Sequence, residues 1–323
     1  MKLLSFAWVV VLVAVMTVAT GAAASPEMTD DEMLMMAVMG GGIEDASAGA
    51  EATAFEVESA QSAAARSIDV PGAVATRAYG INARGVIVGS YTDATGTYGY
   101  LLSDGSVAKI AFPGAVFTEA WGINPQGDVV GRYRRAGDLG TRGFLLSDGA
   151  YTDISVGSHL HTLPIKISPS REIVGCFHDT NFLRDMRGYV QHGDGVESFE
   201  LLPSTMHNGV TPGGGTIAGI SFDSPLQVHS YVLEHGAYSQ FDYPGATFTE
   251  AWDVSPTGKV VGYFNPVASH GFSLDGGVLT QIDAPGASWT RIFGINPQGD
   301  MVGSYADASG GVHGFVLRDR KEP

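Results

Sequence analysis

From about residue 67 onward the chain is a succession of short apolar runs, rich in Val, Ile, Tyr and Phe and broken by Gly, Pro, Asn and Asp. Runs of that length between turn residues predict strands. They come in fours; in one stretch they are Ala120 to Asn124, Val129 to Tyr133, Gly143 to Ser147 and Tyr151 to Ser155. The set then repeats. Phe117 to Tyr133 reads FTEAWGINPQGDVVGRY, and its counterparts are FTEAWDVSPTGKVVGYF from Phe248, WTRIFGINPQGDMVGSY from Trp289 and ATRAYGINARGVIVGSY from Ala75. Two eroded copies lie between, around Thr162 to Phe177 and Thr205 to Ser221. Aligned on Thr76, Thr118, Thr162, Thr205, Thr249 and Thr290, the copies are 42, 44, 43, 44 and 41 residues apart. Four short strands in a period of about 40–45 residues predict the blade of a β-propeller. Six copies predict an all-β, six-bladed ring.

Local chemistry agrees. Asn124-Pro125-Gln126-Gly127 and its counterparts put a φ-presetting Pro before a Gly that accepts positive φ. Ser103-Asp104-Gly105 and Ser147-Asp148-Gly149 read as tight hairpin turns. A glycine recurs inside the second run as Gly89, Gly131, Gly175, Gly219, Gly262 and Gly303. A strand glycine implies that another group needs its space; the expected occupant is a neighbouring blade, with Trp121 or Trp252 filling the gap. The sixth copy ends after its third run, Gly314 to Arg318, without an outer strand. A spare one precedes the first copy: Ser67-Ile68-Asp69-Val70-Pro71-Gly72-Ala73 matches Gln281-Ile282-Asp283-Ala284-Pro285-Gly286-Ala287. The N-terminal strand is therefore expected to complete the last blade and close the ring, removing an exposed edge.

Over residues 67–318 the chain resembles the HAF-type probable extracellular repeat. The resemblance rests on GINxxGxVVGxY followed by a His-Ala-Phe-like tripeptide, here Tyr98-Gly99-Tyr100, Arg142-Gly143-Phe144, Arg187-Gly188-Tyr189, His229-Ser230-Tyr231, His270-Gly271-Phe272 and His313-Gly314-Phe315. It implies a secreted, propeller-like protein and assigns no reaction. The eroded and middle copies depart from the pattern. Lys166 and Asp253 replace the glycine of the first strand, and Arg171 replaces the turn glycine, so distortion is expected there.

The first 24 residues read as a signal peptide: Lys2, an apolar run from Leu3 to Thr20, then Gly21-Ala22-Ala23-Ala24 with cleavage before Ser25. The apolar run is also about long enough to span a membrane as a retained anchor; the small residues that follow favour cleavage, which leaves no membrane span. Residues 25–66 hold nine acids and one base and read as a mostly disordered acidic linker, with residues 67–323 as the propeller. The formal charge of −16 argues against nucleic acid and anionic lipid as partners. Cys176 is the only cysteine, so no internal disulfide forms, and it reads as a packed strand residue.

Two groups of residues could carry chemistry. The residue after each threonine lies near the channel mouth: Arg77, Glu119, Leu163, Met206, Glu250 and Arg291. With Lys166 and Asp253 the charged ones form a candidate ligand-binding rim, or simply ion pairs: Arg77 with Glu119, Glu250 with Arg291, and Lys166 with Asp253. On the loop face of blades three and four, His159, His161, His178, His207 and Asp179 could hold a divalent metal. His229, His270 and His313 occupy equivalent strand positions where other copies have Arg or Tyr, which suits packing and hydrogen bonding. Better-known catalytic layouts, such as GxSxG, HExxH and phosphate-cradling loops, are missing from the sequence. The expectation is a secreted monomer, extracellular or periplasmic and without a cofactor, that binds a polysaccharide, peptide or envelope protein. The alternative is a secreted metal-dependent hydrolase or lyase built on the histidines.

Overall fold

A computed structural model describes residues 56–61, 65–179, 185–198, 204–224, 227–265 and 267–319, and every regular element among them is a β-strand. The predicted leader and the first thirty-one residues of the acidic segment lie outside the described residues. The N-terminal strands are β1 (Glu56–Gln61) and β2 (Ala65–Ile68). Meander one is β3 (Ala75–Ile81), β4 (Ile87–Asp93), β5 (Gly96–Ser103) and β6 (Ser106–Ile110). Meander two is β7 (Ala115–Ile123), β8 (Val129–Arg135), β9 (Arg142–Ser147) and β10 (Ala150–Ile154). Meander three is β11 (His161–Ile167), β12 (Ile173–His178), β13 (Arg187–His192) and β14 (Gly195–Ser198). Meander four is β15 (Thr205–Val210), β16 (Thr216–Ser224), β17 (Gln227–Glu234) and β18 (Ala237–Phe241). Meander five is β19 (Phe248–Val254), β20 (Val260–Asn265), β21 (His270–Asp275) and β22 (Val278–Asp283). The last set is β23 (Trp289–Ile295), β24 (Met301–Ala306) and β25 (Val312–Leu317). Within each set consecutive strands pair antiparallel.

The turns form as the sequence predicts. Asn82, Asn124 and Asn296 each accept turn N–H groups on their side-chain oxygen. Gly85, Gly127 and Gly299 take positive φ. Asp104-Gly105 and Asp148-Gly149 have positive φ at both residues, the two-residue hairpin that matches strand twist. The aligned threonine has a task the pattern alone does not show. Thr76, Thr118, Thr162, Thr249 and Thr290 each accept the backbone N–H of the residue six positions earlier, pinning the link that enters the inner strand. Thr205 accepts from Gly188 instead, within the interface of meanders three and four.

The core lies between neighbouring meanders. One cluster joins Val88, Ile110 and Phe112 to Ala120, Ile123, Val129, Tyr133 and Phe144. Another joins Ile68 and Val70 to Ala78, Ile81, Ile87, Tyr91 and Tyr100 and to Val302 and Val316. Each fully buried aliphatic or aromatic side chain there contributes about 1.5–3 kcal/mol.

The strand glycines have a different cause from the one expected. A Cβ on Gly131 would lie 2.0 Å from the Glu119 carbonyl oxygen and 2.9 Å from the Phe144 ring, and Gly262 meets Glu250 and Phe272 in the same way. The crowding comes from the inner strand and third-strand aromatic of the same meander, not from a neighbour or from Trp121 and Trp252. Neighbours approach instead at the inner-strand glycines: Gly80 faces the Trp121 carbonyl and Gly122 that of Ile165.

The departures from the repeat leave the backbone undistorted. Arg171 takes the glycine conformation with φ of 63°. It is held there by two hydrogen bonds to Asp128, from Nε at 2.9 Å and from Nη2 at 3.1 Å. Burial opposes ionisation of Asp128, but hydrogen bonds from Ser147, Asn124 and Arg171 outweigh it and hold the carboxyl below its usual range.

The N-terminal segment is more ordered than expected. β2 pairs antiparallel with β25, Ser67 opposite Phe315, so it supplies the fourth strand of the last set and begins at Ala65 rather than at residue 67. Inside the segment read as a linker, β1 runs parallel to β22, with Val57 opposite Leu279. His313 of β25 bonds Asp69 at 2.7 Å. The same link joins His229 to Asp242 and His270 to Asp283.

Candidate functional site

All six inner strands carry a bulge at the same phase, leaving one residue unpaired against the second strand: Tyr79, Trp121, Ile165, Asn208, Trp252 and Phe293. An unpaired bulge residue is re-aimed away from the ladder, and here the aromatic ones meet. Tyr79 stacks on Trp121 with centroids 3.9 Å apart, and Trp121 on Trp252 at 5.3 Å. Phe293 meets Tyr79 edge-on at 5.3 Å and Trp252 at 5.0 Å. Side chains from meanders one, two and five and from the last set thus share one buried centre.

The residue two positions before each bulge forms the next tier, and it is more buried than a solvent-facing rim would be. Glu119 and Glu250 are 1% and 3% exposed, and Arg291 is 9% exposed, while Arg77 is half-buried. Glu119 accepts from Arg132 Nε at 2.7 Å and from the Trp121 indole at 3.0 Å. Glu250 accepts from the Tyr263 hydroxyl at 2.6 Å and the Trp252 indole at 3.2 Å. The Arg291 guanidinium lies over the Tyr263 and Trp289 rings, 4.8 and 5.2 Å from their centroids, and that of Arg132 lies over Phe117 at 5.5 Å. In meanders three and four this tier is apolar: Leu163 opposite Cys176, and Met206 opposite Ile220. Cys176 is fully buried against Met186, and burial pushes its thiol up to about 12, so it is a packing residue.

Below the aromatic tier four inner strands have glycine, and the other two meet in an ion pair. Lys166 Nζ lies 2.8 Å from Asp253 Oδ2, both nearly buried. Asp253 also accepts the backbone N–H of Val254 and of Ile295. Burial raises the Asp253 carboxyl above its usual range, against the pull of Lys166 and those two amides. The Asp253 main chain packs on Gly209 of meander four, the strand between the two charges. The pair is a structural tie at the centre.

The five candidate metal ligands are not gathered into one set. His159 bonds Asp179 at 2.9 Å, and Asp179 also accepts the Leu160 N–H. His161 and His178 face each other across β11 and β12 with stacked rings 4.4 Å apart, and His161 Nδ1 lies 3.1 Å from the Thr141 hydroxyl. His207 lies elsewhere, on an inner strand, with its ring on Gly188 and its Nδ1 bonded to the Tyr231 hydroxyl. Burial lowers His207 to about 3, so it stays neutral. Among the described residues no three His, Cys, Asp or Glu side chains converge as a metal site.

Sequence reasoning missed the aromatic centre, although its signal is present: the third residue after the aligned threonine is aromatic in the four faithful copies. It also missed the His–Asp links, whose Asp recurs at the end of the outer strand.

No family model and no curated protein matches the chain. Solved structures do. The β-propeller domain of the Trilobed protease from Pyrococcus furiosus, described as having an open velcro topology, aligns at TM-score 0.50 and 13% identity over 77% of this chain and 95% of that one. TolB from Acinetobacter baumannii aligns at 0.49 and 13% over 78% and 66%, and the Aleuria aurantia lectin AAL at 0.48 and 10% over 76% and 93%. With the repeated meanders and their shared centre, the first of these likenesses assigns the chain the β-propeller fold.

Proposed function

We propose that this chain is an exported, HAF-type β-propeller of six blades, closed by its N-terminal strand, that acts as a binding module through one loop face. Closure is supported by links at every step around the ring. At the seam, Asn296 Nδ2 donates to the Asn82 carbonyl at 3.4 Å, Val312 bridges Ala75, and Val70 N donates to Thr76. Asn82 then reaches Asn124, and Asn124 reaches Ser168. Thr205 N donates to Met186, Asn208 reaches Ala251, and Asp253 takes Ile295 N. Export rests on the leader pattern of residues 1–24.

One observation carries the binding reading. Of the eight exposed large hydrophobic residues among those described, Val74, Val116, Leu139, Leu160 and Val267 all lie at the end of the meanders where the second-to-third and outer-to-inner connections emerge. Leu139 and Val267 are 87% and 90% exposed. Their shared end of the fold is the candidate interaction surface. The aromatic tier below would stop a ligand at the mouth.

The test is retention of polysaccharides, peptides and envelope extracts on the immobilised protein. At least one class is expected to bind, and to be lost in a Leu139→Asp, Val267→Asp variant with an unchanged melting temperature. Retention of nothing, or retention indifferent to both substitutions, would overturn the proposal. So would a stoichiometric transition metal that leaves on His161→Ala, which would favour the metal-dependent hydrolase or lyase.

A further inference from the structure

The loop-face mouth is not uniform, and its sector over blades six, one and two is built unlike the rest. We infer that this sector binds a sugar ring carrying a carboxylate, such as a uronic acid residue of an acidic polysaccharide. The inference rests on the loop-face binding reading and deepens it.

The shared bulge phase places equivalent residues at one level. In the outermost tier Ala75 lies between Phe117 on one neighbouring inner strand and Trp289 on the other, and all three are half-buried, hence reachable. A small residue between two aromatic ones leaves a recess with aromatic walls. Below Ala75 stands half-buried Arg77. Arg132 lies over the Phe117 ring and Arg291 over the Trp289 ring, so a guanidinium backs each wall. The charged tier brings Arg77, Arg132 and Arg291 together with Glu119 and Glu250, in a chain of formal charge −16. An anion held against that long-range field must be held by short, geometrically fixed contacts, and a guanidinium binding a carboxylate in a fork supplies them.

The floor is hydroxylic. On the second strands the residues opposite Arg77 and Arg291 are Ser90 and Ser304, where the other blades have Arg132, Cys176, Ile220 and Tyr263. Directly opposed residues share a face, so both serines face the recess. Ser90 donates to the Tyr79 hydroxyl at 3.4 Å. Ser304 is 1% exposed, and its Oγ has no hydrogen-bond partner. A buried hydroxyl left without a partner carries a desolvation penalty, which a ligand hydroxyl reaching the floor would remove. Aromatic walls suit the C–H faces of a sugar ring, Arg77 its carboxylate, and the serines its hydroxyls. A peptide carboxyl terminus would engage the guanidinium alone.

Calorimetric titration of the full chain with tetragalacturonate, its methyl-esterified form and an acidic peptide tests this. Tetragalacturonate is expected to bind at least tenfold tighter than either of the others. Arg77→Gln should weaken it at least tenfold, Arg77→Lys by less, and Trp289→Ala about fivefold. Val107→Asp, on outer strand β6 and away from the loop face, should leave this affinity within twofold. Equal binding of the esterified sugar, tighter binding of the peptide, or an Arg77→Lys and Arg77→Gln pair that both bind as the parent overturns the acidic-sugar site. If another ligand is still retained and is sensitive to Leu139→Asp, the broader loop-face reading survives that failure; if nothing binds at all, both fall.

Discussion

Meanders one, two and five and the last set keep the repeat closely, whereas meanders three and four have lost much of it, yet among the described residues the two regions share one strand order and one bulge. The bulge that carries Trp121 and Trp252 also carries Ile165 and Asn208. The left-handed turn residue is glycine in the other sets and Arg171 in meander three. What the faithful blades obtain from residue type, blade three obtains from partners. Asp128 holds Arg171 in a conformation that costs a non-glycine residue about 1–2 kcal/mol, and Asp253 neutralises Lys166 where other inner strands have glycine. A repeat can therefore erode in sequence while its geometry persists, provided the compensating contact comes from another blade. The converse holds at the mouth, where erosion changes chemistry: charged and aromatic on one side, Leu163, Cys176, Met206 and Ile220 on the other.

The sharpest way to break this comparison is to remove one compensating partner. Lys166→Met would leave Asp253 buried without its cation and should cost about 3–5 kcal/mol, a fall of roughly 10 °C or more in melting temperature. Adding Asp253→Asn should recover at least half, because the uncompensated charge goes while the contacts to Val254 and Ile295 can be kept. A single variant that melts with the parent would show that the pair is ornamental. A smaller effect separates strain from pairing at Arg171. Both Arg171→Gly and Arg171→Ala lose the bonds to Asp128, but only alanine keeps the unfavourable φ, so alanine should be less stable than glycine by about 1 kcal/mol. Equal stabilities by urea denaturation would mean that the turn relaxes when the guanidinium leaves.

The smallest effect concerns the His–Asp links at the blade edges. Hydrogen bonds donated by its ring to Asp69 and Asp307 raise the His313 pKa above its ordinary value, against partial burial. A histidine raised in the folded state stabilises fully below the unfolded value near 6.5, and that contribution is lost as pH rises through the folded value. His313→Gln should therefore lower the melting temperature by about 1–3 °C at pH 5.5 and by less at pH 9. His207 works in the opposite direction. Burial lowers it to about 3, so it favours the fold above pH 6.5 and its contribution is lost as pH falls toward 3. A gap for His313→Gln that widens with pH would contradict the assignment.

The sequence made the strands and the turns legible because Pro, Gly, Asn and Asp punctuate each copy at fixed offsets. It also showed the match between Ser67-Ile68-Asp69 and Gln281-Ile282-Asp283, which anticipates the pairing of β2 with β25. β1 was hidden because Glu56 to Gln61, EVESAQ, lacks alternation and sits in an acidic, Ala-rich context. The bulge was hidden for a different reason. Bulging changes where Trp121 points without changing its neighbours in sequence, so a residue that reads as blade-to-blade filler becomes part of the common centre. The candidate site was the least legible part. Histidines expected on one loop face, such as His161 and His207, are separated by strand position, while Glu119 and Arg132 meet because β7 and β8 pair.

The pairing of β2 with β25 also sets an order of events on the chain. Ser67 must wait for Phe315, 248 residues later, before its ladder can form. Closing a loop of that length costs only slowly growing entropy, but it makes the last contact non-local and late. Until then β2 and β25 each present a raw hydrogen-bonding edge. A chain truncated before Val312 could not hide that edge, and would offer proteases and like strands a mark of incompleteness that the finished molecule erases.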